Sequence, residues 1–269
     1  AIKEYFPHGS MREGTTVRTT GTLTEDNYKS IKERFLDEGK LLARFEHRGI
    51  VGIKTLFEEN NTAYMVMEYL RGQTLQKMIE NRGVLSEYEV KEYALEIADA
   101  LNQVHQRNFL HRDIKPENII VTEDGRVVLI DFGSARQFAA GQTKKMTSWV
   151  THGYAPIEQY SQKGRFTVPT DIYALGATMY HLMTGEQPEA ATERVNEPED
   201  ILTPLIRLNP EISITTNDAI LWAMALRAHD RPQSVTEFIQ ALEGTVSPPV
   251  KAPAEPPEIN VFTPPPPLE

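Results

Sequence analysis

Residues 119–130 read Ile-Ile-Val-Thr-Glu-Asp-Gly-Arg-Val-Val-Leu-Ile, two apolar β-rich runs on either side of Asp124-Gly125. An Asp-Gly pair between such runs predicts a two-residue hairpin. Pairing symmetric about that turn sets Asn118 opposite Asp131. Directly opposed residues of an antiparallel pair lie about 4.5–5.5 Å apart. An amide oxygen and a carboxylate at that separation suit a hard cation such as Mg²⁺. Asp113 lies just upstream, placed to act on a hydroxyl near the metal. A positioned nucleophile beside a metal clamp is what phosphoryl transfer requires, since little covalent work falls to the protein.

The bulk properties narrow the setting. A chain of 269 residues can bury a sizeable core, in one large domain or two lobes. The formal charge of −10 argues against nucleic acid or an anionic membrane surface as the main partner. The chain has no cysteine, which fits a reducing compartment and excludes a disulfide framework. It contains no apolar run long enough to span a membrane, and it opens on Ala1-Ile2-Lys3 as if cut from something longer.

Along the chain, residues 4–30 are polar and rich in Gly and Thr, reading as a long loop or a short hairpin excursion. Ile31, Phe35, Leu41, Leu42 and Phe45 recur at helical spacing from about Tyr28 to Phe45. Residues 50–57 and 62–69 are β-rich, separated by Glu-Glu-Asn-Asn. Ser86 and Glu89 predict a capping box before a helix with Val90, Ala94, Ile97, Leu101 and Val104 on one face. Residues 171–184 are almost wholly apolar, which predicts a helix buried on all sides. A further helical run covers 217–229, and Ser234 and Glu237 cap a last helix through Leu242. Nine of the 18 prolines then fall between Pro248 and Pro267, so residues 244–269 read as an extended linker or tail.

The segment His111-Arg-Asp-Ile-Lys-Pro-Glu-Asn118, followed by Asp131-Phe-Gly133, matches the signatures H-R-D-x-x-x-x-N and D-F-G. The chain therefore resembles the bacterial-type serine/threonine kinases of the protein kinase family, over about residues 1–243. The resemblance implies an α+β, two-lobed fold. Residues 1–69 would form a small mixed lobe that lacks its glycine-rich loop, and residues 70–243 a larger helical one. It implies transfer of the γ-phosphoryl of ATP to Ser or Thr hydroxyls of proteins, with Mg²⁺ or Mn²⁺, and with autophosphorylation in the activation loop, in trans within a homodimer. It also implies a cytoplasmic location, alone or as the cytoplasmic domain of a membrane-anchored protein.

Residue by residue, Asp113 matches the catalytic base and Lys115 the lysine that balances charge on the transferred group. Asn118 and Asp131 match the metal ligands. Phe132 would report the active state through its packing, and Gly133 would permit the turn that aims Asp131. Ala1-Ile2-Lys3 resembles the end of V-A-I-K, so Lys3 would hold the α- and β-phosphates and pair with Glu38. Glu38 stands between Phe35 and Leu42 on a core-facing stripe, where an unpaired carboxylate is costly. Met67 matches the gatekeeper, the backbones of Glu68 and Leu70 the adenine-binding groups, and Ile120 an apolar contact to the adenine face. Gly153-Tyr-Ala-Pro-Ile-Glu158 resembles A-P-E with one residue inserted, and Glu158 would pair with Arg231. Thr151 matches the threonine that contacts the catalytic loop. Thr143, Thr147, Ser148 and Thr151 are the phosphoacceptor candidates, Arg112 a dock for the phosphate, and Asp171 a brace for the His-Arg-Asp backbone.

The departures are specific. No Gly-x-Gly-x-x-Gly precedes Lys3, which predicts weak turnover by residues 1–269 alone and a chain that starts inside a longer protein. Gly39 costs its helix about 1 kcal/mol relative to Ala. His152 and Arg48-Gly49 replace residues usual in the family. Two other readings stand beside it: a nucleotide-binding scaffold without catalysis, whose main support is the missing glycine-rich loop, and a small-molecule phosphotransferase of similar fold, which would share the Asp and Asn spacing. Lys115, Thr151 and Ala155-Pro-Ile-Glu158 argue against the second of these, because they serve a protein-substrate platform.

Overall fold

A computed structural model describes residues 1–21, 23–132, 136–137 (backbone only), 151–161 and 164–249. The small lobe holds β1 (Ile2–Glu4), β2 (Ser10–Glu13), β3 (Thr16–Thr19), α1 (Glu25–Leu42), β4 (Ile53–Glu59) and β5 (Thr62–Met67). Strands β1, β5 and β4 form an antiparallel sheet in that order, with Lys3 opposite Met65. Asn60 and Asn61 take φ of 55° and 58°, so β4 and β5 are joined by a tight two-residue turn. The Thr-rich stretch before α1 resolves into the β2–β3 hairpin. Thr24 caps α1 by accepting the Asn27 N–H at 3.3 Å, which starts the helix three residues before Tyr28.

Gly39, which costs helix propensity, lets α1 approach the sheet. A Cβ there would lie 2.4 Å from Leu56 Cδ2 and 3.0 Å from Met65 Cε. Gly39→Ala gains about 1 kcal/mol of propensity but overpacks the helix–sheet contact by about 1–3 kcal/mol. The expected result is a lower thermal midpoint. A midpoint above the wild type would mean that Leu56 moves aside freely.

The large lobe follows with β6 (Gly72–Thr74), α2 (Leu75–Arg82), α3 (Glu87–Gln106), β7 (Phe109–Leu110), β8 (Ile119–Thr122), β9 (Val127–Leu129) and β10 (Arg136–Gln137). It ends with α4 (Val168–Thr184), α5 (Ala191–Arg194), α6 (Leu205–Leu208), α7 (Ile214–Ala223) and α8 (Val235–Leu242). Helix α4 is buried along nearly its whole length and packs on α3, α7 and α8. Ser86 accepts the Glu89 N–H at 3.3 Å, but the Glu89 carboxylate receives Arg82 and Tyr93 instead of completing the box. The helical run expected over 217–229 divides into α7 and a separate turn at Ala228–Asp230.

The hairpin register differs from the symmetric one by one residue. Ile119 pairs with Leu129, Ile120 with Val128 and Val121 with Val127. The reason is a three-residue loop, Glu123–Gly125. Gly125 takes φ of 81°, its N–H bonds Thr122 O at 2.9 Å, and the Thr122 N–H bonds Arg126 O at 2.9 Å. Asn118 consequently stands across from Ile130, whose N–H it receives at 2.9 Å, and not from Asp131. Asp131 is the next residue and leaves the strand direction with φ of 60°.

Candidate active site

The loop from His111 to Asn118 is built on a buried carboxylate. Asp171, in the first turn of α4, accepts the N–H of His111 at 2.9 Å and of Arg112 at 2.8 Å. His105 Nε2 lies 2.7 Å from the same carboxylate and must be its donor. Burial alone would raise the Asp171 pKa. The hydrogen bond and charge of His105, the charge of His111 and the Arg112 N–H outweigh it, and the net direction is down. Arg112 takes φ of 69°, a conformation costly for a bulky residue. It is over-determined by Asp171 on one side and by Gln159 Nε2, which donates to Arg112 O at 2.9 Å, on the other.

Asp113 projects from this braced turn into a closed polar cluster. Its Oδ2 receives Asn118 Nδ2 at 2.9 Å and Lys115 Nζ at 3.2 Å. Its Oδ1 receives the Thr151 hydroxyl at 3.0 Å, and Lys115 Nζ donates to the same hydroxyl at 2.9 Å. Asn118 Nδ2 also donates to Asp113 O at 2.8 Å, so its other amide atom is the oxygen. Thr151 is thus tied to the loop through its hydroxyl.

Lys3 reaches across from the small lobe. Its Nζ lies 3.2 Å from Glu38 Oε1 and 3.1 Å from Asp131 Oδ1. Glu38 is 8% exposed, so its carboxylate depends on that cation. Burial pushes the Lys3 pKa down, the charges of Glu38 and Asp131 push it up, and the net direction is up. Phe132 is fully buried against His111, with ring centres 4.4 Å apart, and against Phe45.

At the junction of the lobes, Met67 exchanges backbone bonds with Ala1, both 2.8 Å. The Glu68 N–H is taken by Gly52 O, and its carboxylate accepts the Gly52 N–H at 2.8 Å. Leu70 and Ile120 are half-buried, Ile120 on β8 between Thr74 and Val128. Glu158 and Arg231 form a two-pronged ion pair at 2.7 and 3.0 Å. The Arg112 guanidinium is buried and lies 4.0 Å over the Phe166 ring. Gly133, Thr143, Thr147 and Ser148 lie outside the described residues.

Three features escaped the sequence reading. His105 follows Ile97 and Leu101 at four-residue steps, so a histidine on the apolar stripe of α3 was its signal. His181 is the one histidine in the apolar run of α4, and it meets Tyr154. Arg194, 1% exposed, pairs with Asp200 at 2.7 and 2.8 Å, and no periodicity announces it.

Residues 16–243 match the model of the protein kinase domain. The chain belongs to the protein kinase family. Serine/threonine-protein kinase PknA of Nostoc sp. is 35% identical over 243 residues, which are 86% of this chain and 42% of that protein. Serine/threonine-protein kinase PrkC of Bacillus subtilis is 32% identical over 196 residues, 71% of this chain and 30% of that protein. The solved structure of PpkA-294 in its apo form is 33% identical, with a TM-score of 0.75, covering 90% of this chain and 85% of that one. The two-lobed protein kinase fold is thereby established. The chain spans less than half the length of the curated relatives it matches. Protein kinases use ATP and a divalent cation. No helix among the described residues is long and apolar enough to cross a membrane.

Proposed function

We propose that residues 1–243 form an ATP-dependent protein serine/threonine kinase domain acting in the cytoplasm. The observation that carries this reading is the Lys3 ammonium held between Glu38 of the small lobe and Asp131 of the large one, at 3.2 and 3.1 Å. A cation fixed between lobes suits the α- and β-phosphates of ATP. In this reading Met67 and Ile120 flank the adenine. Leu70 and the carbonyl of Glu68 bond its edge, the Glu68 N–H being spent on Gly52.

The donors fit Mg²⁺ or Mn²⁺. Among the described residues no three His, Cys, Asp or Glu side chains gather into a metal cage. The Asp131 carboxylate and the Asn118 amide oxygen are hard donors, and Mg²⁺ commonly takes one or two protein ligands plus substrate phosphates. Bound there, the ion would offset the charge on the phosphoryl oxygens. Asp113 would orient the acceptor hydroxyl and take its proton, while Lys115 steadies charge on the transferred group. Pairing with Glu38 keeps Lys3 extended toward the nucleotide.

The test is incubation with γ-labelled Mg-ATP and a protein substrate. Label on Ser or Thr, abolished by EDTA, is expected. ATP binding without transfer would favour the scaffold reading, and transfer only to small-molecule hydroxyls would favour the phosphotransferase.

A further inference from the structure

The segment His152–Ala155 lies between two supports. On one side Thr151 is tied to Asp113, and Tyr154 lines the same small cavity as Asp113, Ile114 and Thr151. On the other side, the end of α4 and the turn after it hold the segment. Gln187 Nε2 donates to His152 O at 2.5 Å, and the Tyr154 hydroxyl meets His181 Nδ1 at 2.5 Å. The Tyr154 side chain is nearly buried, so its position depends on what receives its O–H.

Chemistry assigns the direction of that bond. Burial raises the Tyr154 pKa well above the usual phenol range, and the charge of Glu117 adds to the rise, so the phenol keeps its proton. Burial lowers the His181 pKa, against a smaller opposing effect of Glu117. The phenol therefore donates to an unprotonated Nδ1, and the neutral ring carries its proton on Nε2. Among the described residues, the titratable groups that act on His181 are Tyr154, from the segment below it, and Glu117, from the turn Pro116–Asn118. A second proton on the ring would set N–H against O–H, and the phenol would have to turn its proton outward.

We propose that His181 is a positioning residue for the acceptor peptide, holding Tyr154 through an unprotonated Nδ1 and thereby making peptide binding sensitive to acid. The proposal rests on the kinase reading, because it takes the strip beside Thr151 and Asp113 as the peptide platform. His181 touches neither nucleotide nor reacting atoms, so its loss acts on KM for the peptide and not on KM for ATP.

The experiment measures both KM values from about pH 8 down to about one unit below the pKa that NMR reads for the His181 ring, because burial sets that pKa below the ordinary histidine value. The wild type should raise its peptide KM about fivefold on the acid side, the value of one hydrogen bond. His181→Gln keeps an acceptor that does not titrate and should flatten the profile. A flat wild-type profile, or an acid-side rise that persists in His181→Gln, overturns the proposal. In parallel, NMR follows the His181 ring in the full chain. Tyr154→Phe should raise its pKa, because the bond that favours the neutral ring is gone. If the wild type transfers no phosphate at any pH, the kinase reading has failed. The ring titration still decides the hydrogen bond, and a pKa that Tyr154→Phe leaves unmoved overturns the proposal by itself.

Discussion

Asp113→Asn is expected to lower kcat by about 10²–10⁴-fold, the usual worth of a general base, while leaving KM for ATP and the thermal midpoint nearly unchanged. The hydrogen bonds explain why the fold should tolerate it. Oδ2 accepts from both Asn118 and Lys115, so an asparagine will keep its oxygen there. Its NH₂ then takes the place of Oδ1 and faces Thr151, whose hydroxyl can turn from donor to acceptor. The lone pair that would take the substrate proton is lost, and the loop stays braced by Asp171. Phosphoryl transfer from labelled ATP, with a melting curve on the same sample, checks both halves. A variant within threefold of the wild-type rate would remove Asp113 from the role of base.

What the sequence disclosed and what it withheld divide along physical lines. Elements whose cause is local were legible: the apolar run of α4, the stripe of α3, the strands either side of Asn60-Asn61. The hairpin after Asn118 was legible as a hairpin, but its register was not. Asp-Gly fits both a two-residue turn and a three-residue loop with glycine in the left-handed position, and one residue of difference moves every pair. Glu38 could be suspected from helical periodicity, since a carboxylate on a core-facing stripe needs a partner. Its partner lies 35 residues away in the chain, and only the motif ending in Lys3 pointed to it. Gly39 read as a weakness because propensity is local. The Leu56 and Met65 side chains that make it necessary come from other strands. The same holds for Tyr154 and His181. Each was visible in the sequence, but nothing local says that a phenol and an imidazole 27 residues apart share a proton.

Arg231→Met is expected to be the most destabilising single change outside the hydrophobic core, by about 3–5 kcal/mol. The Arg231 side chain is fully buried and that of Glu158 is 10% exposed, so their pair gains full Coulombic strength only because both charges have left water. Removing the guanidinium strands a carboxylate that keeps only neutral donors such as Thr170, at 3.0 Å. It also abandons three backbone oxygens, Ala225 O, Pro169 O and Leu226 O, to which Arg231 donates at 2.7, 3.1 and 2.8 Å. Each buried acceptor left unpaired costs roughly 1–3 kcal/mol before relaxation. The face of the guanidinium over Tyr173, 4.9 Å away, is lost as well. The two contributions separate in the double variant Glu158→Gln, Arg231→Met. Neutralising the stranded carboxylate should recover part of the loss, and the orphaned carbonyls should keep the rest. Denaturant unfolding of the wild type, both single variants and the double variant measures the coupling. If Arg231→Met costs less than about 1 kcal/mol, the pair behaves as a solvated surface contact. Its part in seating Glu158 against α4 would then have to be reassigned to Thr170.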